Sequence, residues 1–440
     1  MRFLIVDPAG LALDFAWRAK QAGHQVKHCI RETPKTEHIG KGMVDVIRDA
    51  GLYYRWADLV LSADNTRWLR EMDAAREYAL IIGPSQEMAQ WELDRRIGQS
   101  VLKKHGIPII PSVEFSNYDK AIAFVKKNPR RWVSKPNGDA DKSLSYCSDS
   151  PADMIYMLEK WKRLGKQREF LLQEFIPGIE MGVGGWFGPN GWCAPWEENW
   201  EFKKLMDGDK GVATGEQGTV LRYVSRSRLA KKVLLPLTDT LARQQYIGNI
   251  DVNCIIDDKG AVWPLEFTMR CGWPAFNIQQ ELHVGDPVEW LMQMATGGRP
   301  GVVEDQVAIG VVLSIPDYPY SHHTRKEVVG APIYGADNPR LNDHIHFCEV
   351  MRGEAPHDVD GEIKTIPSFV TAGDYVLVVS ATGDTVYEAK QTAYRRLKRL
   401  SLPNSPMWRT DIGDRLARQL PELQKHGFAS GLRFSDSPRP

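Results

Sequence analysis

AVWPLEFTMRCGW, residues 261–273, opens on a short apolar run and carries Glu266, Thr268, Arg270 and Gly272 behind it. Side chains alternate along an extended chain, so Glu266, Thr268 and Arg270 fall on one face. Residues 250–256, IDVNCII, read as a second strand. Asp257-Asp258-Lys259-Gly260 joins the two as a turn, with glycine taking the backbone conformation other residues resist. The hairpin brings Asn253 or Asp251 close to Glu266. A carboxylate, a second oxygen ligand and an arginine at one hairpin end suit Mg2+ and a polyphosphate. Mg2+ takes hard oxygen ligands and keeps waters and substrate phosphates, and a guanidinium forks onto phosphate oxygens. On pattern alone, an exposed hairpin with solvated charges is the competing reading.

The chain around this hairpin has 440 residues, enough for two to four subdomains rather than one core. A hydrophobic share of 42% and a charged share of 25% are those of an ordinary globular protein. Lys plus Arg and Asp plus Glu both number 56, so no global field draws in nucleic acid or a membrane surface, although a local basic groove stays open. The six cysteines form no CxxC pair and read as reduced cytosolic thiols, not a disulfide frame or zinc site. MRFLIVDPAG at the N-terminus is a strand and a turn, not a signal peptide. No apolar run approaches a membrane span. The expectation is a cytoplasmic protein, monomer or homodimer, acting on small molecules.

Residues 1–110 read as an α/β unit, with strands at 2–6 and 25–30 and a helix over 11–22 between them. Residues 80–85, LIIGPS, form a further strand end. A helix through Trp91, Asp94, Arg95, Gly98 and Leu102 closes at His105-Gly106-Ile107-Pro108. Trp132-Val133-Ser134-Lys135-Pro136 is a strand ending on Lys135, and NGDADKS, residues 137–143, is a polar loop carrying Lys142. A helix over 153–165 precedes the strand EFLLQEF, residues 169–175. After a turn ending at Glu180 comes a strand over 181–187. Residues 185–200 hold Trp186, Trp192, Trp196 and Trp200 around the turn Pro189-Asn190-Gly191. These tryptophans either pack between subdomains, the commoner use of aromatic bulk, or form an aromatic wall for a flat ligand. Arg222, Arg226 and Arg228 add positive charge. From 302 to 420 strands alternate with helices, and Thr385 caps a helix over 386–400. His322 and His323 are adjacent, so in a strand they point to opposite faces and do not make a metal pair.

EFTMRCGWP resembles the metal-binding strand of the ATP-grasp ligases, and specifically of glycinamide ribonucleotide synthetase (phosphoribosylamine–glycine ligase), whose phrase runs Glu-Phe-Asn-x-Arg-Phe-Gly-Asp-Pro. The resemblance continues in order from about residue 80 to about residue 415. It implies that Lys135 contacts ATP phosphate and that Lys142, in a lid with one glycine (Gly138) and two acids (Asp139 and Asp141), is a second phosphate lysine. It implies an adenine hinge at Gln173, Glu174 and Phe175, with Glu180 on the ribose hydroxyls. It makes Glu266 the Mg2+ ligand and Arg270 the brace for phosphates and developing acyl phosphate. Thr268 stands where the family has its metal-binding Asn, and Asn253 is the candidate replacement. Thr214-Gly215-Glu216-Gln217-Gly218 resembles the family's Thr-Gly-Gly-Met-Gly loop, with Glu216 in place of Gly. Near the start, Asp7-Pro8-Ala9-Gly10 lacks the family's longer glycine-rich turn and reads as a plain βα turn. Asp374 stands where the synthetases have Arg in Gly-Gly-Arg. Trp408-Arg409-Thr410-Asp411-Ile412-Gly413 resembles their closing phrase.

The resemblance implies an α/β protein with α+β subdomains: an ATP-grasp fold behind an N-terminal Rossmann-like (pre-ATP-grasp) domain. The expected parts are residues 1–110, an ATP-grasp domain at 111–300, a mixed domain at 301–420 and a tail at 421–440. The implied activity is ADP-forming carboxylate–amine ligation using ATP and Mg2+. An amino-acid carboxylate is activated and attacked by phosphoribosylamine or a divergent amine. Motifs for ATP are mostly kept and those for the phosphoribosyl group mostly eroded. The alternatives are a degenerate nucleotide-binding regulatory or scaffold protein, and a ligase acting on a nucleobase- or nucleic-acid-linked amine.

Overall fold

The computed structural model describes residues 1–136, 145–166, 169–297, 302–320, 326–403 and 405–436. Lys142 with its loop, and the pair His322-His323, lie outside them. Strands β1 (Arg2–Val6), β2 (Gln25–Cys29), β3 (Asp45–Ile47), β4 (Leu59–Ser62) and β5 (Ile81–Ile82) form one sheet in the order β3-β2-β1-β4-β5. Every neighbouring pair in it is parallel. The continuous apolar run of β1 suits a strand covered on both faces, and Phe3 to Val6 are fully buried. At the turn after β1, the Asp7 carboxylate accepts the amides of Gly10 (3.0 Å) and Ala12 (2.7 Å) and pairs with His28 at 2.9 Å. The turn before the helix Leu13–Gln21 is thus filled by its own side chain, as a plain βα turn.

A second sheet, β6 (Ser112–Phe115), β7 (Trp132–Pro136), β8 (Tyr146–Cys147) and β9 (Phe170–Glu174), is antiparallel in the order β6-β9-β7-β8. The helices Tyr118–Lys127 and Pro151–Arg163 pack on it. Their residues Ala121, Val125, Leu158 and Trp161 bury against Trp132, Phe170 and Leu172 in a core of their own.

The largest sheet follows: β10 (Ile179–Gly188), β11 (Gly191–Glu201), β14 (Gly218–Val224), β15 (Gly248–Ile256), β16 (Val262–Thr268), β17 (Val307–Ser314), β18 (Ile345–Phe347) and β21 (Tyr375–Gly383). Their order is β16-β15-β10-β11-β14-β17-β21-β18. Two ribbons hang from it, β12 (Lys204–Met206) with β13 (Lys210–Ala213), and β19 (Val350–Val359) with β20 (Glu362–Thr371). The sheet runs across residue 300, since residues 218–222 of β14 pair with 307–311 of β17.

The two-residue alternation splits the sheet into unlike faces. Met181, Val183, Val252 and Cys254 enter the main core, which is shared with Phe3 of the first sheet and Phe15 of the helix Leu13–Gln21. Asp251, Asn253, Glu197 and Asn199 point the other way, and all four are buried. Registers Asn253↔Glu266 and Asp251↔Thr268 extend this polar stripe onto β16. Gly182 lies between Asn253 and Asn199, and a Cβ there would overlap the Asn199 amide oxygen.

The tryptophans take the packing role. Trp186 is 1% exposed, against Phe276 and Trp290, and Trp200 is fully buried. Trp192 packs against Trp196 with ring centroids 5.0 Å apart and planes tilted by 53°, and donates to Thr238. The aromatic wall is therefore not formed: none of the four lines the cleft described next. Arg222 is also spent internally, donating to Glu198 at 2.8 Å under the Ser430 carbonyl.

Candidate active site

The hairpin β15–β16 ends in a cleft of about 510 Å³ between the large sheet and the N-terminal unit. Asn253, Glu266, Thr268 and Arg270 all line it. Asn253 is the cross-strand partner of Glu266, through a register shift next to Cys254 that passes over Leu265. Asp251, the other candidate neighbour, pairs with Thr268 instead and hydrogen-bonds Asn199 at 2.7 Å. The Asn253 amide donates to Glu201 at 2.6 Å, so Glu201 joins the group from the end of β11.

Lys203 is the hub. Its ammonium lies 2.8 Å from Glu180, 2.9 Å from Glu201 and 3.5 Å from Glu266. On the far side, Arg95 donates to Glu266 at 3.0 Å and to the Leu265 carbonyl at 2.9 Å. Burial alone would raise the pKa of Glu266, but Lys203, Lys135 and Arg95 outweigh it and hold the carboxyl well below the usual range. Burial lowers the pKa of Lys203, yet Glu180, Glu201 and Glu266 reverse that and raise it well above normal. Lys135, at the end of β7, has its pKa lowered by burial, with Glu266 opposing. Lys135 therefore shares the electrostatic environment of Glu266 across two sheets.

Arg270 is oriented from the opposite wall. Glu92 accepts from it at 3.0 Å, and the same Glu92 accepts the Met269 amide at 2.8 Å. The hinge candidates lie on the small sheet. Gln173 is 2% exposed. The Glu174 amide donates to Pro111 at 2.9 Å and its carboxylate pairs with Arg130 at 2.7 Å. The Phe175 amide donates to Arg131, whose guanidinium stacks on the Phe175 ring at 3.6 Å. The structure thus lines one cleft with Asn253, Glu266, Thr268 and Arg270, sets Glu180 beside the Lys203 of that cleft, and places Lys135 within the electrostatic reach of Glu266. Gln173, Glu174 and Phe175 sit one strand from Lys135, since β7 and β9 are paired.

Glu201, Lys203, Arg95 and Glu92 complete the group, and the sequence reading assigned them no part. Glu201 and Lys203 flank the end of β11 two residues apart. Arg95 and Glu92 lie on consecutive helices, Gln86–Leu93 and Arg95–Lys104. Spacing alone offers no link from these to the hairpin.

Glu266, Glu201 and the Asn253 carbonyl form a hard oxygen set, and the Lys203 ammonium marks the point where those carboxylates take a cation. Among the described residues no group of three or more His, Cys, Asp or Glu is arranged to hold a metal by itself. That is consistent with Mg2+, which takes one or two carboxylates and leaves the rest to water and phosphate. The donor set fits.

The family model described as "Phosphoribosylglycinamide synthetase, ATP-grasp (A) domain" matches residues 94–275. The chain is 27% identical over 351 residues to the phosphoribosylamine–glycine ligase of Neisseria meningitidis serogroup B, covering 76% of this chain and 78% of that one. It is 25% identical over 374 residues to the Haemophilus influenzae enzyme of the same name, at 80% and 81% coverage. Among solved structures, phosphoribosylamine–glycine ligase from Thermotoga maritima superposes with a TM-score of 0.71 at 21% identity, over 94% of this chain and all of that one. The biotin carboxylase domain of Hydrogenobacter thermophilus 2-oxoglutarate carboxylase, solved with MgADP, gives 0.61 at 12% identity, over 92% and 91%. Fold, hairpin and cleft agree with these likenesses: the chain has an ATP-grasp fold and resembles phosphoribosylamine–glycine ligase at divergent identity.

Proposed function

We propose that the chain is an ADP-forming carboxylate–amine ligase, and that the cross-strand pair Glu266–Asn253 inside a ring of Lys203, Lys135, Arg95 and Arg270 carries this reading. MgATP would supply the phosphoryl group that turns an amino-acid carboxylate into an acyl phosphate. Glu266, with Asn253 and Glu201 beside it, would hold Mg2+; Thr268 is a further neutral oxygen at the same wall. Glu180 would accept the ribose hydroxyls. Lys135 and Lys203 would neutralise phosphate charge, which is most of what phosphoryl transfer asks of a protein. Arg270, fixed by Glu92, would brace the acyl phosphate. The amine nitrogen then forms the C–N bond with its lone pair. The C–O bond to phosphate breaks, phosphate leaves with that electron pair, and the amine proton is released.

The relatives' names give the pair as phosphoribosylamine and glycine, and a glycine-like amino acid is the expected acid here. The experiment is ADP release from MgATP with an amino-acid pool, with and without phosphoribosylamine generated in place, and with hydroxylamine to trap an acyl phosphate as hydroxamate. Hydroxamate and ADP that depend on one amino acid are the expected result. ATP binding with no ADP under any condition would overturn the reading in favour of a nucleotide-binding regulatory protein. The small-molecule scale of the cleft and the neutral net charge support soluble substrates over nucleic acid.

A further inference from the structure

The acidic residues that line the cleft are all answered by a base within 3.6 Å except one. Glu216 is 5% exposed and lines the cleft, and its Oε1 has no hydrogen-bond partner among the described residues. At the same end, Lys35 lies 3.6 Å from Glu349 and 3.9 Å from Asp374, so one ammonium is shared by two acids. Glu349 and Asp374 are themselves 8% and 3% exposed. Tyr318 and Tyr375 wall this end with their rings 5.5 Å apart. Burial, then Cys348 and Tyr318, raise the pKa of Tyr375, and Glu216 and Glu349 add to the rise, so one ring feels both carboxyls.

We propose that this end of the cleft receives a second cationic group on the acceptor: an amine carrying an additional ammonium, held between Glu216 and the Glu349–Asp374 pair. The proposal rests on the ligase reading above and names the acceptor class. A buried carboxyl with an unanswered oxygen is costly to keep. Burial and Glu201 raise the pKa of Glu216 well above normal, and a cation beside it offsets that cost. An alkyl ammonium between aromatic walls also gains from the ring faces. A phosphorylated acceptor would instead bring a doubly charged anion against the carboxyls of Glu216, Glu349 and Asp374.

The test is ADP release by the full-length protein with its required amino acid and each of four acceptors: 1,3-diaminopropane, 1,4-diaminobutane, butylamine and phosphoribosylamine generated in place. A diamine KM about tenfold or more below that of butylamine is expected, and Glu216→Gln should raise the diamine KM about tenfold or more with the KM for ATP within about twofold. Equal KM values for diamine and monoamine in the unaltered protein would overturn the proposal, with no need for the variant to fold. Phosphoribosylamine as the best acceptor would overturn it too. Hydroxamate formation without diamine preference sinks this proposal alone. Absence of hydroxamate sinks the ligase reading and this proposal with it.

Discussion

The two ends of the cleft are built to opposite electrostatic rules. At the hairpin end, three carboxylates converge on Lys203, with Arg95 on Glu266 and Lys135 facing it. Each charge there has a partner, and the pKa shifts keep Glu266 ionised. At the other end Lys35 lies beside Glu349 and Asp374, the Glu216 Oε1 has no hydrogen-bond partner among the described residues, and burial pushes Glu216 and Glu349 toward the neutral form. The first end is the one proposed for metal and phosphate. The second is the one proposed for a cationic group of the acceptor. A family's chemistry can persist at one end of a site while its partner preference changes at the other.

The sharpest way to break this contrast is Glu266→Ala. Removing the proposed Mg2+ ligand should lower ADP formation about a thousandfold, read as kcat/KM for ATP. Lys203→Ala comes next. It leaves three carboxylates facing one another, and because Lys203 is only partly buried the expected loss is about 2 kcal/mol of stability. Added Mg2+ should restore more of the melting temperature in this variant than in the parent, and equal gains in both would count against Lys203 as the cation of that cluster. Gly182→Ala should cost about 1–3 kcal/mol by overpacking against Asn199, measured by urea unfolding.

The smallest expected effect concerns the buried pair beneath the cleft. Burial, then Asp251, pushes Glu197 up to about 8, and burial, then Glu201, pushes Asp251 up to about 7. Both bind protons more tightly folded than unfolded, so their contribution to stability is complete below the ordinary carboxylate range. It is lost as pH rises through about 7 to 8. Melting temperature should fall with pH across that window, and Glu197→Gln should flatten the fall. An unchanged slope in the variant would show that the polar stripe does not titrate as a unit.

The hairpin end was largely readable from local pattern. The run at 250–256, its Asp-Asp-Lys-Gly turn and the alternation after residue 261 suffice to bring Asn253 or Asp251 near Glu266, but the choice of Asn253 comes from a register shift next to Cys254 that no local pattern announces. Strand ends at Lys135 and Glu180 were readable from local pattern as well. Glu201 and Arg95 were not, since they reach Glu266 through strand pairing and helix packing over long sequence separations. The tryptophans misled in one of their two readings: sequence shows aromatic density, while only burial shows that Trp186 and Trp200 face a core. The acidic end was visible only as two isolated departures, Glu216 and Asp374. Lys35, Glu349 and Tyr318 join them from three further segments, and no spacing connects these.

The eight-stranded sheet has a further consequence for anyone who would divide this protein. The family model stops at residue 275, yet β14 finds its outer neighbour only at β17. A chain cut near residue 300 would keep every residue proposed for ATP and still leave residues 218–222 as a raw edge, ready to recruit a strand from another molecule. The proposed acceptor end is thus not a detachable cartridge. Exchanging it between relatives means transplanting the continuous ladder that also carries the end proposed for the nucleotide.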